Sequence, residues 1–270
     1  MSGDDATRPP AADAAPPPEV PWWRSGICRN CGAPMHGAPY CSQCGQKAAH
    51  RLGIGDLRKE TWEKWRLFEL SVARTLGRLL LRPGTVAREY VEGARSRHVH
   101  PLKLLLVCIA LLVVLLGRIG FMTSPDADVN AAMALAQRYG KWSFTLGIFA
   151  IVATTLLVFR RRGGFNPVEH LVLAAYCHAA MIVLNFVNLL PLLVLDTSAY
   201  MLAWREASKW YMYVVECALL AFACVQFFRL DLRRDAWRLL LAMGCFVAID
   251  LILLRAYSEL IVAIVLARLA

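Results

Sequence analysis

Two cysteine pairs carry the clearest chemistry in this chain. Cys28-Arg29-Asn30-Cys31-Gly32 and Cys41-Ser42-Gln43-Cys44-Gly45 repeat one pattern, separated by a short loop that contains His36. Each Cys-x-x-Cys-Gly can close into a tight knuckle in which glycine permits the turn and backbone amides face thiolate sulfur. Two knuckles supply the four thiolates of a tetrahedral zinc site. A closed four-thiolate shell leaves no position for a substrate, so the expected zinc is structural and not catalytic. A redox reading needs a single Cys-x-x-Cys beside a βαβ pattern, and the sequence has none. His36 is read as a surface residue, because the cysteines already complete the shell.

A second group, Arg95, Arg97, His98 and His100, stands immediately before a long apolar run. Two guanidinium groups and two imidazoles at that level could bind phosphate, from a lipid or a nucleotide; the alternative is a positive anchor beside a span. A third group lies within apolar runs. His170, His178, Asn185 and Asn188 fall within about 80° of one helix face at 100° per residue, and Glu216 and Asp250 in later runs are candidate partners. Ionisable groups inside a span are costly and mark ion or proton paths, although His and Asn also serve simply as hydrogen-bonding links between helices. Glu169 points to the opposite face and is expected to pair at the surface with Arg160, Arg161 or Arg162. Walker loops, Gly-x-Ser-x-Gly elbows and His-Glu-x-x-His motifs do not occur, which points away from an enzyme.

The elements that must position these groups follow from composition. Of 270 residues, 58% are hydrophobic and the mean hydropathy is +0.46, above the roughly 45–50% of a soluble domain. Apolar runs at 102–117, 142–159, 168–195, 211–228 and 239–267 predict about five membrane spans. The last run is interrupted by Asp250, Arg255 and Glu259, and reads either as one long tilted helix or as a span followed by an interfacial segment. Pro191 is expected to kink the third span. Between Arg51 and Lys103 twelve basic residues face six acidic ones, and Arg160–Arg162 and Arg229–Arg238 flank alternate loops. The positive-inside rule then puts the N-terminus in the cytoplasm and the C-terminus outside. From Asp56 to Leu81, Trp62, Trp65, Phe68, Val72, Leu76, Leu79 and Leu80 recur at helical spacing opposite a basic surface. That is an amphipathic helix stopped by Pro83-Gly84, lying either in the lipid headgroups or on the protein's own cytoplasmic face. A second short helix is expected to end at Gly93.

The stretches Thr75-Leu76 to Leu81-Arg82-Pro83-Gly84, Arg88-Glu89-Tyr90-Val91-Glu92-Gly93-Ala94-Arg95 and His100-Pro101, with the ribbon ending Cys44-Gly45-Gln46-Lys47, resemble the bacterial membrane proteins of the domain-of-unknown-function 3667 family. A weaker likeness continues through Glu169-His170 to His178, where the family has a further histidine at the place of Tyr176. The resemblance implies a protein of the bacterial cytoplasmic membrane with a cytosolic zinc ribbon, and supplies no activity.

The expected fold is therefore an all-α polytopic membrane protein. It comprises a disordered tail (1–24), a four-cysteine zinc ribbon (25–50), basic amphipathic juxtamembrane helices (51–101) and a transmembrane bundle (102–270). Two functions compete. One is a non-enzymatic adaptor or regulatory protein whose ribbon contacts a cytosolic or membrane protein while the basic helices rest on anionic inner-leaflet lipid. The other is a small ion- or proton-coupled transporter or channel lined by His178, Asn185, Glu216 and Asp250. Residues 1–50 carry four basic and four acidic groups, so no nucleic-acid partner is expected.

Overall fold

The computed structural model describes residues 26–57, 68–119, 143–194 and 198–269. The expected tail and the Trp62 and Trp65 half of the juxtamembrane helix lie outside them. The helices are α1 (Phe68–Leu81), α2 (Pro83–Val91), α3 (Pro101–Arg118), α4 (Ser143–Phe159), α5 (Pro167–Leu189), α6 (Ser198–Phe228) and α7 (Leu232–Leu269). Among the described residues, extended pairing is confined to two isolated antiparallel bridges, Ile27 with Pro34 and Tyr40 with Lys47.

Local chemistry explains the boundaries. Pro83 has no N–H to continue α1, but its fixed φ suits the first turn of α2. Gly93 follows α2 with φ of +108°, the left-handed conformation in which glycine avoids a Cβ clash. Helix α5 opens with a reciprocal cap: the Asn166 side chain accepts from the Glu169 N–H at 2.9 Å, and Glu169 Oε2 accepts from the Asn166 N–H at 2.8 Å. Two such bonds satisfy amides that the first turn leaves without partners. Pro191 does not kink α5. The α-helix stops at Leu189 and Pro191 sits in a 3-10 turn, Leu190–Leu193, where its missing N–H costs little.

Helix α5 is the centre of the bundle, packed against α3, α4 and α6 and also against α1 and α2. Within its spanning stretch 61% of residues are buried, against 22% for α7. Ala174, Ala175, Cys177, Ala179 and Ala180 are fully buried in α5; side chains this small let neighbouring helices approach closely where lipid removes the hydrophobic drive for association. Among the described residues four helices, α3, α5, α6 and α7, are long and apolar enough to cross a membrane. At 17 residues α4 is shorter and sits at the lower limit for a crossing, which is about 17 residues. The final run is one continuous helix of 38 residues, about 57 Å long.

Of the two placements expected for the juxtamembrane helix, α1 packs on the protein itself. Thr75 and Leu79 are buried and Val72 and Leu76 rest on the core, while Leu81 stands exposed. The turn after α4, the start of α5 and the α6–α7 turn all meet the end of the molecule that carries the ribbon, as Arg51 on Glu169 and Arg88 on Phe227 demonstrate. Arg160–Arg162, Arg229, Arg233, Arg234 and Arg238 therefore gather at that end.

Candidate metal centre and its clamp

The ribbon builds one half-site twice. Cys28 and Cys41 each accept a bond at the carbonyl from the glycine four residues on, Gly32 at 2.8 Å and Gly45 at 2.9 Å. Their own amides donate to Ala33 and Gln46 at 2.7 and 2.8 Å. Gly32 and Gly45 have φ of +80° and +68°, so each knuckle needs glycine where the motif has it. The result brings the four sulfurs within 4.8 Å of one another. Cys28 lies 3.6 Å from Cys44, and Cys31 lies 3.6 Å from Cys41. A tetrahedron with metal–sulfur bonds of about 2.3 Å has edges of about 3.8 Å, so the donor set fits a thiophilic divalent ion. The Asn30 side chain, followed by the Gln46 backbone amide, pulls the Cys44 thiol down to about 6, while Cys31, despite the Ala33 backbone contact, is pushed up to about 12 by desolvation and the neighbouring sulfurs, so the cluster shares its protons until an ion displaces them. Cys28 and Cys41 are buried, Cys31 and Cys44 are exposed, and His36 is an exposed turn residue with φ of +46°.

The ribbon is held against the bundle. Arg29, between two of the cysteines, donates from its terminal nitrogen to Glu92 Oε2 at 3.1 Å. The Asn30 carbonyl accepts from Arg97 at 2.6 Å, and Gln46 Oε1 accepts from the Ser96 amide at 3.0 Å. The following linker is fixed as well. His50 gives its carbonyl to Arg95 at 3.0 Å, Leu52 gives its carbonyl to Asn166 at 3.0 Å, and Arg51 binds both the Gly164 carbonyl and Glu169. A Cβ on Gly93 would come within 2.8 Å of Ala49 Cβ, so this glycine serves both the turn and the close approach of the linker.

The four phosphate candidates do come together, but on this clamp. Arg95, His98 and His100 are buried. His98 Nε2 lies 2.7 Å from Glu89 Oε2, and His100 packs edge-on to Tyr90 at 5.9 Å. Arg97 is half-exposed and reaches the Asn30 carbonyl. Tyr176 donates to the Val99 carbonyl at 2.6 Å and meets Tyr90 edge-on at 5.8 Å, so it pins α5 to the same segment. Glu169 departs from expectation: it is fully buried and pairs with Arg51, not with Arg160–Arg162. Its capping role turns the carboxylate toward the linker.

On the far side of the clamp, Glu92 holds Arg88 at 2.7 Å, and Arg88 donates to the Phe227 carbonyl at 2.5 Å. Burial draws the Arg88 guanidinium below its ordinary value, and the Glu92 charge offsets this. Gln226 Oε1 accepts from both the Gly84 and Thr85 amides, at 3.0 and 3.1 Å, capping α2 from another helix. The tertiary contacts of Glu92, Arg51, Asn166 and Gln226 are not legible in the sequence because each acts on a partner roughly 60 to 140 residues distant; the Asn166-Pro167-Val168-Glu169 cap is a local signal, but it says nothing of the linker that Asn166 also holds.

The intramembrane candidates occupy separate places. His170 is buried with its ring 5.6 Å from Phe228. His178 lies against Gly147 of α4. Asn188 accepts from Tyr211, Asn185 is half-buried, and Asp250 accepts from Tyr213 at 3.2 Å with half-buried Glu216 one turn further along α6.

Apolar helices of spanning length, joined to a four-cysteine cluster with metal-site geometry, define a polytopic helical membrane protein with a metal-binding ribbon. A family model described as a protein of unknown function (DUF3667) matches residues 71–113. That stretch runs from α1 into α3 and contains the clamp residues Arg88 to His100, so the resemblance carried by those motifs is shown. No curated protein and no solved structure matches the chain.

Proposed function

We propose that the protein is a non-enzymatic adaptor or regulator of the bacterial cytoplasmic membrane. Zinc gives its ribbon a fixed shape on the cytoplasmic side, the ribbon contacts a cytosolic or membrane protein, and the basic end lies against anionic lipid. The observation that carries this reading is the clamp: a ribbon tied down through Arg29, Asn30 and Gln46 still leaves Ile27 and Tyr40 exposed. Immobilised apolar side chains on a rigid module suit protein contact, because little ordering is needed on binding. The arginines gathered at the ribbon end support a cytoplasmic orientation for it. The test is crosslinking and affinity purification from native membranes, wild type beside Cys28→Ser/Cys31→Ser. A protein partner recovered with wild type and lost from the variant is the expected result. Equal recovery, or lipid alone in both samples, sinks the reading.

A second reading, a small ion- or proton-coupled transporter or channel, draws on Asp250, buried in α7 and bonded to Tyr213. It expects Glu216→Gln or Asp250→Asn to abolish a proton- or ion-dependent flux in proteoliposomes while the protein stays folded; unchanged flux in both eliminates it.

A further inference from the structure

Arg29 and Asn30 fill the two positions between the ligands Cys28 and Cys31, so the first knuckle sets their backbone. Arg29 reaches out of the ribbon to Glu92, and the Asn30 carbonyl accepts from Arg97. From Glu92 a continuous path of charged bonds leads to Arg88 at 2.7 Å and on to the Phe227 carbonyl at 2.5 Å. Phe227 is in the last turn of α6, whose carbonyls lack intrahelical donors. The end of α6 is closed by Arg229 with φ of +51° and by the Leu230 amide on the Val225 carbonyl at 3.0 Å. This is the left-handed closure that glycine usually makes, built here with a side chain that disfavours it. A guanidinium supplied from outside thus bonds the α6–α7 turn, at the end of a chain of contacts that begins between two cysteines of the metal site. The metal site is also accessible. Cys31 and Cys44 are exposed while Cys28 and Cys41 are buried, so one side of it is open to chelators and thiols in solution.

We propose that the ribbon senses exchangeable zinc, and that its occupancy is transmitted through Arg29, Glu92 and Arg88 to the turn between α6 and α7. This rests on the metal-loaded ribbon of the proposed function. Loss of the ion releases the knuckle, Glu92 loses the Arg29 contact, and the hold of Arg88 on the α6 terminus slackens. Coupling of this kind is reciprocal: whatever the metal contributes to the turn, the turn returns to metal affinity.

The test uses the full chain in lipid nanodiscs, zinc-loaded or treated with EDTA, with hydrogen exchange followed in peptides covering 26–48 and 224–234. EDTA is expected to speed exchange in both regions of wild type, by about tenfold in the second, a factor within the usual range of coupling between sites. In Arg29→Gln, which keeps all four ligands, the ribbon still responds but residues 224–234 change less than about twofold. By the reciprocity above, its zinc affinity falls by about the factor lost at the turn. Glu92→Gln provides a second break in the same path. If EDTA loosens 26–48 but leaves 224–234 unchanged in wild type, or if Arg29→Gln behaves as wild type, the transmission is wrong while the metal-loaded ribbon stands. A chain that takes up no zinc overturns both.

Discussion

Cys28→Ser is expected to abolish zinc binding and unfold the ribbon while leaving the helices intact. The ribbon's own core is only Cys28, Ala33, Met35 and Cys41 with Ala48 against them, so two of its four buried members are ligands. A core this small cannot offset the entropy of ordering its loops. In zinc-finger peptides, metal binding contributes about 10–16 kcal/mol and amounts to the folding energy itself. Zinc content by plasma mass spectrometry should therefore fall from about one ion per chain to near zero. Amides of residues 26–48 should exchange at close to unprotected rates. EDTA should do the same to wild type, and so should acid, because protons compete with the ion for thiolate and metal retention falls as pH drops. The main core is a separate cluster running from Leu52 to Phe246, so the helical circular dichroism of the bundle should survive. Retention of zinc and of ribbon protection in Cys28→Ser would remove the metal from the account.

The second large effect is expected at Gly84. A Cβ there would run into the Ala223 carbonyl oxygen of α6 and come within 2.7 Å of Gln226 Cβ. Those are backbone and inner side-chain atoms that cannot swing aside, so α2 must move away from α6. Moving it breaks both bonds from Gln226 to the α2 amides. Overpacking costs about 1–3 kcal/mol and each lost bond about 1 kcal/mol, so Gly84→Ala should destabilise by about 3 kcal/mol or more. Gly77 is the matched control: it is exposed within α1 and its Cβ would meet nothing within 4 Å. There Ala should stabilise by about 0.5–1 kcal/mol through helix propensity. Thermal unfolding of the detergent-solubilised proteins measures both. Equal melting temperatures for Gly84→Ala and wild type would mean that α2 and α6 are not in this contact.

The Pro-Gly pair at 83–84 marks how far sequence reasoning reaches. Its stop signal was legible, because a missing N–H and a fixed φ act on the residue itself. Its tight packing on α6 was not, because Ala223 and Gln226 are some 140 residues away. Arg95, His98 and His100 divide in the same way. Their position before a span suits either a phosphate site or a positive anchor, and in the fold Arg95 meets His50, His98 meets Glu89 and His100 meets Tyr90, all three buried. Glu169 looked like a surface charge because Arg160–Arg162 are near in sequence, but Arg51 is nearer in space.

The sequence by itself determined the clustering of the four cysteines, the end of α2 at Gly93, the apolar helices and the concentration of positive charge. Each rests on spacing within a few residues or on periodicity along one helix, where backbone geometry alone dictates which groups meet. Only the tertiary structure decided that the ribbon is clamped, that Arg95, His98 and His100 are buried while Arg97 is not, and that Arg88 bonds the last turn of α6. Those outcomes depend on which distant surfaces exclude water together, and the burial of a charge is decided by the partner that arrives to pair with it.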